Sequence, residues 1–403
     1  MRHRNFRLFF GGQLVSLIGT WMQTVAQAWL VLKLTNSPLM LGVVSAANYL
    51  PIMIVALFAG VVVDHVDRRR LIIGAQTMLM LSAFALFTLT YTGLVRVPYV
   101  IALAALNGLV SSFDMPGRQA FIVEMVGRED LPNAIALNSM IFNGARTIGP
   151  AIAGLLIVLV GVSGCFLLNG LSFLAVIGSL IAMDVPRRTM SGDFGISILK
   201  RLGEGFSYVW HHLPSFYLLT LGALTSGFAI QYTVLIPIFA RDLLHSGAKG
   251  YGFLLGAQGL GAVFGAAVLA STSSEPKYLR RSLIMGGFAM SVSIAIFGLS
   301  PWFALSAAAQ ALNGFGQLQY MAATNTMLQI FVSDELRGRV MSFYTMSFLG
   351  LAPIGSLSVG FFGAHLGPRP ATLICAAIGL TCAGLLATRM RMIAAAQAAR
   401  ALV

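Results

Sequence analysis

One charged residue, Arg146, lies deep inside an otherwise apolar stretch of this 403-residue chain. A guanidinium keeps its proton and presents five N–H donors in a planar fork. In an apolar setting it demands an anion, backbone carbonyls or an aromatic face. Three residues further on stands Gly149-Pro150-Ala151-Ile152-Ala153-Gly154. Its small residues let one helix approach another closely, and Pro150 frees a carbonyl and permits a bend. A second group is Gly60-Val-Val-Val-Asp64-His65-Val66-Asp67-Arg68-Arg69-Arg70. Asp64 is four residues before Arg68 and within ion-pairing reach. Asp114 is a further acid that would close a carboxylate–Arg–carboxylate cluster.

A third group is polar residues at helical spacing. Gln13, Ser16, Thr20, Gln23 and Gln27 step by three and four, as do Ser306, Gln310, Asn313, Gln317, Tyr320 and Thr324. Asn107, Ser111, Asp114 and Arg118 form a shorter stripe, and Thr220, Gly227 and Gln231 a weaker one. Each stripe keeps one helical face polar. Trp21, Met22, Phe142, Phe228, Tyr232 and Met321 lie near these stripes and suit bulky amphipathic ligands. Catalytic pairs, metal-ligand spacings and a phosphate-binding loop are missing from the sequence, so neither an enzyme nor a metal or other cofactor is expected. Cys165, Cys375 and Cys382 sit in apolar runs and read as packing residues.

The elements that must position these groups follow from composition. Hydrophobic residues make up 57% of the chain and charged residues 10%. A soluble protein cannot hide that much apolar surface behind so few charges. Twelve bilayer-spanning helices of about 20 residues each would use it up. Polar breaks leave apolar runs at 8–32, 40–63, 71–92, 97–114, 134–161, 164–183, 215–239, 250–270, 282–300, 302–324, 340–363 and 371–388. The chain therefore reads as an all-α membrane protein. The first run follows Arg2, Arg4 and Arg7 as in a signal peptide, but it is too long and continues past the cleavage-like Ala26-Gln27-Ala28. If span 5 begins near Leu131, Arg146 lies roughly 22 Å along it, past the midplane.

The charges set an orientation. Twenty of the 26 Lys and Arg residues fall at the termini and in the loops that share their side, five fall opposite, and Arg146 lies within a span. By the positive-inside rule both termini are cytoplasmic. The net charge of +13 is then topology, and no nucleic-acid partner is expected. Residues 184–213 form the one long loop. Ile198, Leu202, Phe206, Val209 and Trp210 at helical spacing among Lys200, Arg201 and Glu204 predict an amphipathic helix on the inner surface. A shift of 206 residues places Asn107-Gly108 on Asn313-Gly314, Gly149 on Gly355 and Gly154 on Gly360. This reads as two parallel six-helix repeats: an N-terminal bundle over 1–183, the linker 184–213, a C-terminal bundle over 214–390 and a tail 391–403.

The loop Gly60 to Arg70 resembles the signature of the major facilitator superfamily, Gly-x-x-x-Asp-x-x-Gly-Arg-Arg, with Asp67 in place of a Gly. Span count, repeat, long central loop and motif position extend the resemblance over the whole chain. Gly149-Pro150 followed by small residues resembles the antiporter motif of exporters in that superfamily, with Ala153 in place of one Gly. The stretches Phe113–Ala120, Arg128–Ala134 and Ala136–Ser139 resemble a bacterial group that includes the enterobactin exporter and macrolide-efflux-like proteins.

The resemblance implies a major facilitator fold working by alternating access in the bacterial inner membrane as a monomer among lipids. It implies export of a small amphipathic compound (a drug, siderophore or lipid-like metabolite) with the proton as coupling ion. Asp64, Arg68 and Asp114 would form the gate and conformational switch. Gln23, Gln27, Asn107, Arg146, Gln231, Asn313 and Gln317 would line the substrate cavity, and Gly149, Pro150 and Gly154 would form the helix-packing motif. The rival readings are an importer or facilitative uniporter on the same fold, and a lipid scramblase or non-transporting scaffold.

Overall fold

The computed structural model describes the backbone of residues 3–127, 129–184, 207–271, 275–332 and 334–400. The side chains of residues 56, 57, 60, 61, 64, 132, 334, 335, 337, 342, 349 and 391–400 lie outside that description. So do most of the expected amphipathic helix and its residues Ile198, Lys200, Arg201, Leu202, Glu204 and Phe206.

Each expected run finds a helix. In chain order these are α1 (Arg4–Thr35), α2 (Pro38–His65), α3 (Arg68–Tyr91), α4 (Val97–Val126), α5 (Leu131–Leu159), α6 (Gly161–Ile181) and α7 (Leu213–Leu243). They continue with α8 (Gly247–Ala270), α9 (Pro276–Leu299), α10 (Phe303–Phe331), α11 (Asp334–Gly350, resumed at Ala352–His365) and α12 (Pro368–Arg400). Eleven are long and apolar enough to cross a bilayer. The twelfth, α10, has the length but carries buried Gln310, Asn313, Gln317 and Gln319 along its course. Its polar face lowers its hydropathy and obliges it to sit against protein or water.

The helix starts are written locally. Pro occupies one of the first two positions of α2, α4, α5 and α9, where its missing N–H costs nothing. The Ser37 hydroxyl accepts from the Met40 N–H at 3.4 Å and caps α2. The Asp67 carboxylate accepts from the Arg70 N–H at 3.0 Å and caps α3. The departure from the superfamily signature at Asp67 thus has a physical role: an acid suits a helix N-terminus.

Two spans depart from the regular helices the runs predict. Within α7 the backbone passes from α (Leu213–Leu224) to π (Thr225–Ala229), to 3₁₀ (Ile230–Leu235), to a short α stretch and to a second π turn (Phe239–Leu243). A π turn displaces carbonyls from their helical partners. Here the Gln231 side-chain amide donates to the Ser226 carbonyl at 3.1 Å, and the Ser226 hydroxyl donates to the Phe348 carbonyl at 2.6 Å. The second departure is the interruption of α11 at Leu351. Both meet at one crossing: a Cβ on Gly355 would overlap the Gly227 carbonyl oxygen, so α7 and α11 touch backbone to backbone.

Packing gathers the described residues into two compact units. One is drawn from Met1–Gly192 and Ile236–Gly259, the other from Asp193–Leu235 and Leu260–Val403. The first has a core of Phe6, Phe9, Ile72, Phe121, Phe173 and Leu180. It also holds a seam between α5 and α8. A Cβ on Gly252 would lie 2.5 Å from the Pro150 carbonyl oxygen and 2.7 Å from Gly154 Cα. One on Gly259 would lie 2.5 Å from Thr147 Cα. Without hydrophobic drive between helices in lipid, such backbone approach supplies the dispersion contact that holds them. The second unit's core is Leu218, Leu283, Tyr320, Leu328, Phe348 and Leu386.

The 206-residue offset recurs as packing. In the first unit a Cβ on Gly149 would meet Trp21 Cβ at 2.7 Å. In the second, Gly355 meets Gly227. Both members of the pair shift by 206.

Candidate functional site

Charged residues toward one end of α3 and α4 form two separate ion-paired groups. Asp114 is almost wholly buried. Its carboxylate takes the Arg118 guanidinium at 2.7 Å, one helical turn along, and accepts from the Gln76 amide on α3 at 2.9 Å. Gly117 lets the helices close, since a Cβ there would meet Leu71 at 2.8 Å. Arg68 donates to Glu124 at 2.7 Å with both side chains largely covered. The expected set was Asp64, Arg68 and Asp114. Arg68 and Asp114 stand in different ion pairs, while the Asp64 side chain lies outside the described residues. Gln76 was not singled out by sequence, because a lone Gln in an apolar run signals nothing until α4 lies beside it.

Arg69 has a structural task. It donates to the Leu180 and Ile181 carbonyls at 2.8 and 2.9 Å and closes the C-terminus of α6. Arg70 is exposed, with Asp67 at 3.8 Å.

Several residues of the polar stripes bond between helices. Asn169 on α6 donates to Gln23 Oε1 at 2.6 Å. Asn313 donates to the Met290 carbonyl and to Ser293 Oγ, each at 3.2 Å, binding α10 to α9. The Tyr232 hydroxyl donates to Gln310 Oε1 at 2.6 Å. Gln27, Gln231 and Gln317 are buried. Asn107 is half-buried, and its buried Oδ1 has no hydrogen-bond partner among the described residues.

Arg146 sits fifteen residues beyond the start of α5 at Leu131 and is half-buried. Its guanidinium carbon lies 5.9 Å from the centre of the Trp21 ring. The same ring meets Phe142 edge-on at 5.9 Å. Phe142 and Arg146 are one turn apart on α5, and Gly149, one turn further, lets α5 ride against the backbone of Ile18–Met22. The close helix approach therefore brings Trp21 between the ring and the charge.

At the far end of α1, Arg241 on α7 donates to the Leu32 carbonyl at 3.4 Å and to Asn36 Oδ1, and it pairs with Asp242 at 2.5 Å. Asn36 ends α1 in the left-handed conformation, φ 51°. Sequence offered one signal: Arg241 follows Thr35 by 206 residues.

Over 87% of both chains, the protein is 23% identical to the staphyloferrin A transporter of Staphylococcus aureus (strain NCTC 8325 / PS 47). It is 28% identical to the multidrug efflux pump Tap of Mycobacterium tuberculosis (strain ATCC 25618 / H37Rv), over 94% of this chain and 91% of that one. A crystal structure of a POT family transporter in complex with 5-aminolevulinic acid superposes with a TM-score of 0.78 over 95% of each chain at 11% identity, a likeness of fold. The family described as transmembrane secretion effector matches residues 1–402. The chain belongs to that family and is a multi-pass membrane transporter of the major facilitator type, not an enzyme.

Proposed function

We propose that the protein exports a small amphipathic compound from the bacterial cytoplasm across the inner membrane by alternating access, in exchange for protons. The observation that carries the direction of transport is the Gly149–Gly154 segment. It resembles an exporter motif, and it packs closely along α8, with Gly252 against the backbone of Pro150 and Gly154 and Gly256 against Ala151. Small residues of this kind let two helices approach and re-pack at low steric cost. Two relatives, a multidrug efflux pump and a staphyloferrin A transporter, support the same reading.

In this reading both termini are cytoplasmic, as the basic loops require, and one chain suffices. The 1–183 and 214–390 bundles are the moving halves. Asp64, Arg68 and Asp114, joined by Gln76, Arg118 and Glu124, form the cytoplasmic gate. Gln27, Asn107, Arg146, Gln231 and Gln317 line the path. Gln23 and Asn313 border it while tying α1 to α6 and α10 to α9.

The test is substrate-dependent proton movement in liposomes. Purified protein is reconstituted with a pH-sensitive dye inside, a pH gradient is imposed, and siderophores and amphipathic drugs are added in turn. A proton flux triggered by one compound and lost in Asp64→Asn is the expected result. Saturable uptake of a compound with no proton signal would replace antiport by facilitated transport. Wild-type flux in Asp64→Asn would remove that residue from the gate.

A further inference from the structure

Among the described residues, Asp114 is the one acid that stands inside a helix away from its ends. Its two partners are unlike. Asp114 Oδ2 holds the Arg118 guanidinium at 2.7 Å, and the side chains are 2% and 21% exposed respectively. On the α3 side, Gln76 Nε2 donates to Asp114 Oδ1 at 2.9 Å. The amide's other end, Gln76 Oε1, is buried and has no hydrogen-bond partner among the described residues. A buried acceptor left unmatched is costly and calls for an explanation. The helices packed on α4 bring their charges elsewhere. On α3, Arg68 is held by Glu124 of α4, Arg69 by the end of α6, and Arg70 is exposed. The titratable groups of α2 are Tyr49, Asp64 and His65, those of α1 are Arg4, Arg7 and Lys33, and that of α5 is Arg146. The groups bonded to the Asp114 carboxylate are Arg118 and Gln76.

A carboxylate only accepts, whereas a protonated carboxyl has one O–H to donate. A proton on Oδ2 ends the ion pair with Arg118, and the acceptor open on the other side is Gln76 Oε1. Acid and amide then bond twice, O–H to Oε1 and Nε2–H to Oδ1. From this we infer that Asp114 is the proton-binding group of the protein and that Gln76 is the positioning residue that accepts its O–H. The inference rests on the proton-exchange reading and names the carrier. Each state satisfies what the other leaves open. The carboxylate has its charge balanced by Arg118 and leaves Gln76 Oε1 unmatched. The acid satisfies Gln76 and releases Arg118, the partner that water reaches. The proton comes from water, forms one O–H bond on Oδ2 and returns to water when that bond breaks; Arg118 keeps its own proton throughout. Loading therefore exchanges a tie within α4 for a tie between α4 and α3.

The experiment is infrared spectroscopy of the full-length protein in liposomes, with aspartate carrying a heavy carbon isotope in its carboxyl group. The pH is stepped from about 8.5 to about 5, and the C=O stretch of protonated aspartate is followed. An aspartate band that grows in on acidification and is lost in Asp114→Asn is the expected result. In Gln76→Leu the same band should move to higher frequency. Its C=O then no longer accepts from Nε2, and its O–H no longer donates to Oε1. A merely structural Gln76 would leave that frequency where it is, since Leu fills a similar volume. Should Asp114→Asn fail to fold, an aspartate band that shifts in Gln76→Leu still identifies Asp114, the acid to which Gln76 is bonded.

Absence of an Asp114-dependent band over the whole pH range, or a band whose frequency is the same in Gln76→Leu, would each overturn the inference. Flux in liposomes separates it from the antiport reading. The band and its shift without substrate-driven proton flux would sink antiport and keep the proton site. Substrate-driven proton flux that persists in Asp114→Asn would keep antiport and put its proton on another group.

Discussion

Replacing Gly252 by Ala tests the α5–α8 seam with a single methyl group. The new Cβ would sit 2.5 Å from the Pro150 carbonyl oxygen, 2.7 Å from Gly154 Cα and 2.8 Å from Gly154 N. Carbon atoms pack best at about 3.5–4.0 Å, so the shortfall is close to 1 Å. All three opposing atoms belong to backbone, and none can rotate away. The helices must move apart by about that shortfall, and the contacts of Gly256 and Gly259 loosen with them. Overpacking of this kind costs about 1–3 kcal/mol, which for a chain of this size lowers an apparent unfolding midpoint by about 1–4 °C. Thermal unfolding of purified protein, followed by tryptophan fluorescence at one fixed scan rate, measures it. Gly144→Ala is the control. A Cβ there meets nothing within 4 Å, and Ala is the better helix former by about 1 kcal/mol. A Gly252→Ala midpoint equal to or above that of Gly144→Ala would refute the reasoning, because the backbone contact would then be absent.

Further consequences can be measured separately. A double-mutant cycle on Arg68→Gln and Glu124→Gln should give a coupling of about 1 kcal/mol, since the 2.7 Å pair is largely covered; strictly additive midpoints would show the pair to be idle. His212 stacks on Tyr208 at 5.1 Å and bonds Ser215 Oγ at 2.8 Å, and burial lowers its pKa below the ordinary 6.5. The unfolded chain then binds the proton more readily, so stability is held above about pH 6.5 and declines as the pH falls below it. His212→Gln should flatten the decline in the unfolding midpoint between pH 7.5 and 5, and an unaltered profile counts against the assignment. Arg241→Gln removes the donors to Leu32 and Asn36. Hydrogen exchange at the last turn of α1 should rise by about tenfold; protection equal to wild type would show that the turn holds itself.

The sequence discloses what depends on one helix at a time. Twelve apolar runs give the spans, and the steps of three and four in α1 and α10 give their polar faces. Periodicity names a face but not the helix that meets it. The spacing of Gln23 therefore does not disclose that Asn169 donates to it, and Gln76 has no reading until Asp114 lies beside it. The same limit applies to α7. Its apolar run over 215–239 predicts one regular helix, yet the backbone changes type several times around Gly227. The cause is the crossing with Gly355, more than a hundred residues away in the chain, where two backbones touch and the hydrogen-bond ladder yields. Asp67 shows the reverse case: it was visible as a departure from a signature, and the backbone around it supplies the reason, a helix cap.

Two kinds of adhesive hold these helices, and they differ in what motion they allow. Between α1 and α6 and between α9 and α10, buried amides bond across the interface. Separating such a pair strands donors and acceptors in an apolar medium, so the interface resists opening as a unit. Between α5 and α8, Gly252 meets the backbone of Pro150 and Gly154, Gly256 meets Ala151 and Gly259 meets Thr147. Parting these contacts costs dispersion. Close glycine contacts also lie between α9 and α10, where a Cβ on Gly316 would meet Met290 N at 2.5 Å, so what separates that interface from α5–α8 is the pair of bonds from Asn313, not its glycines. The Gly252→Ala experiment therefore measures what backbone approach contributes on its own.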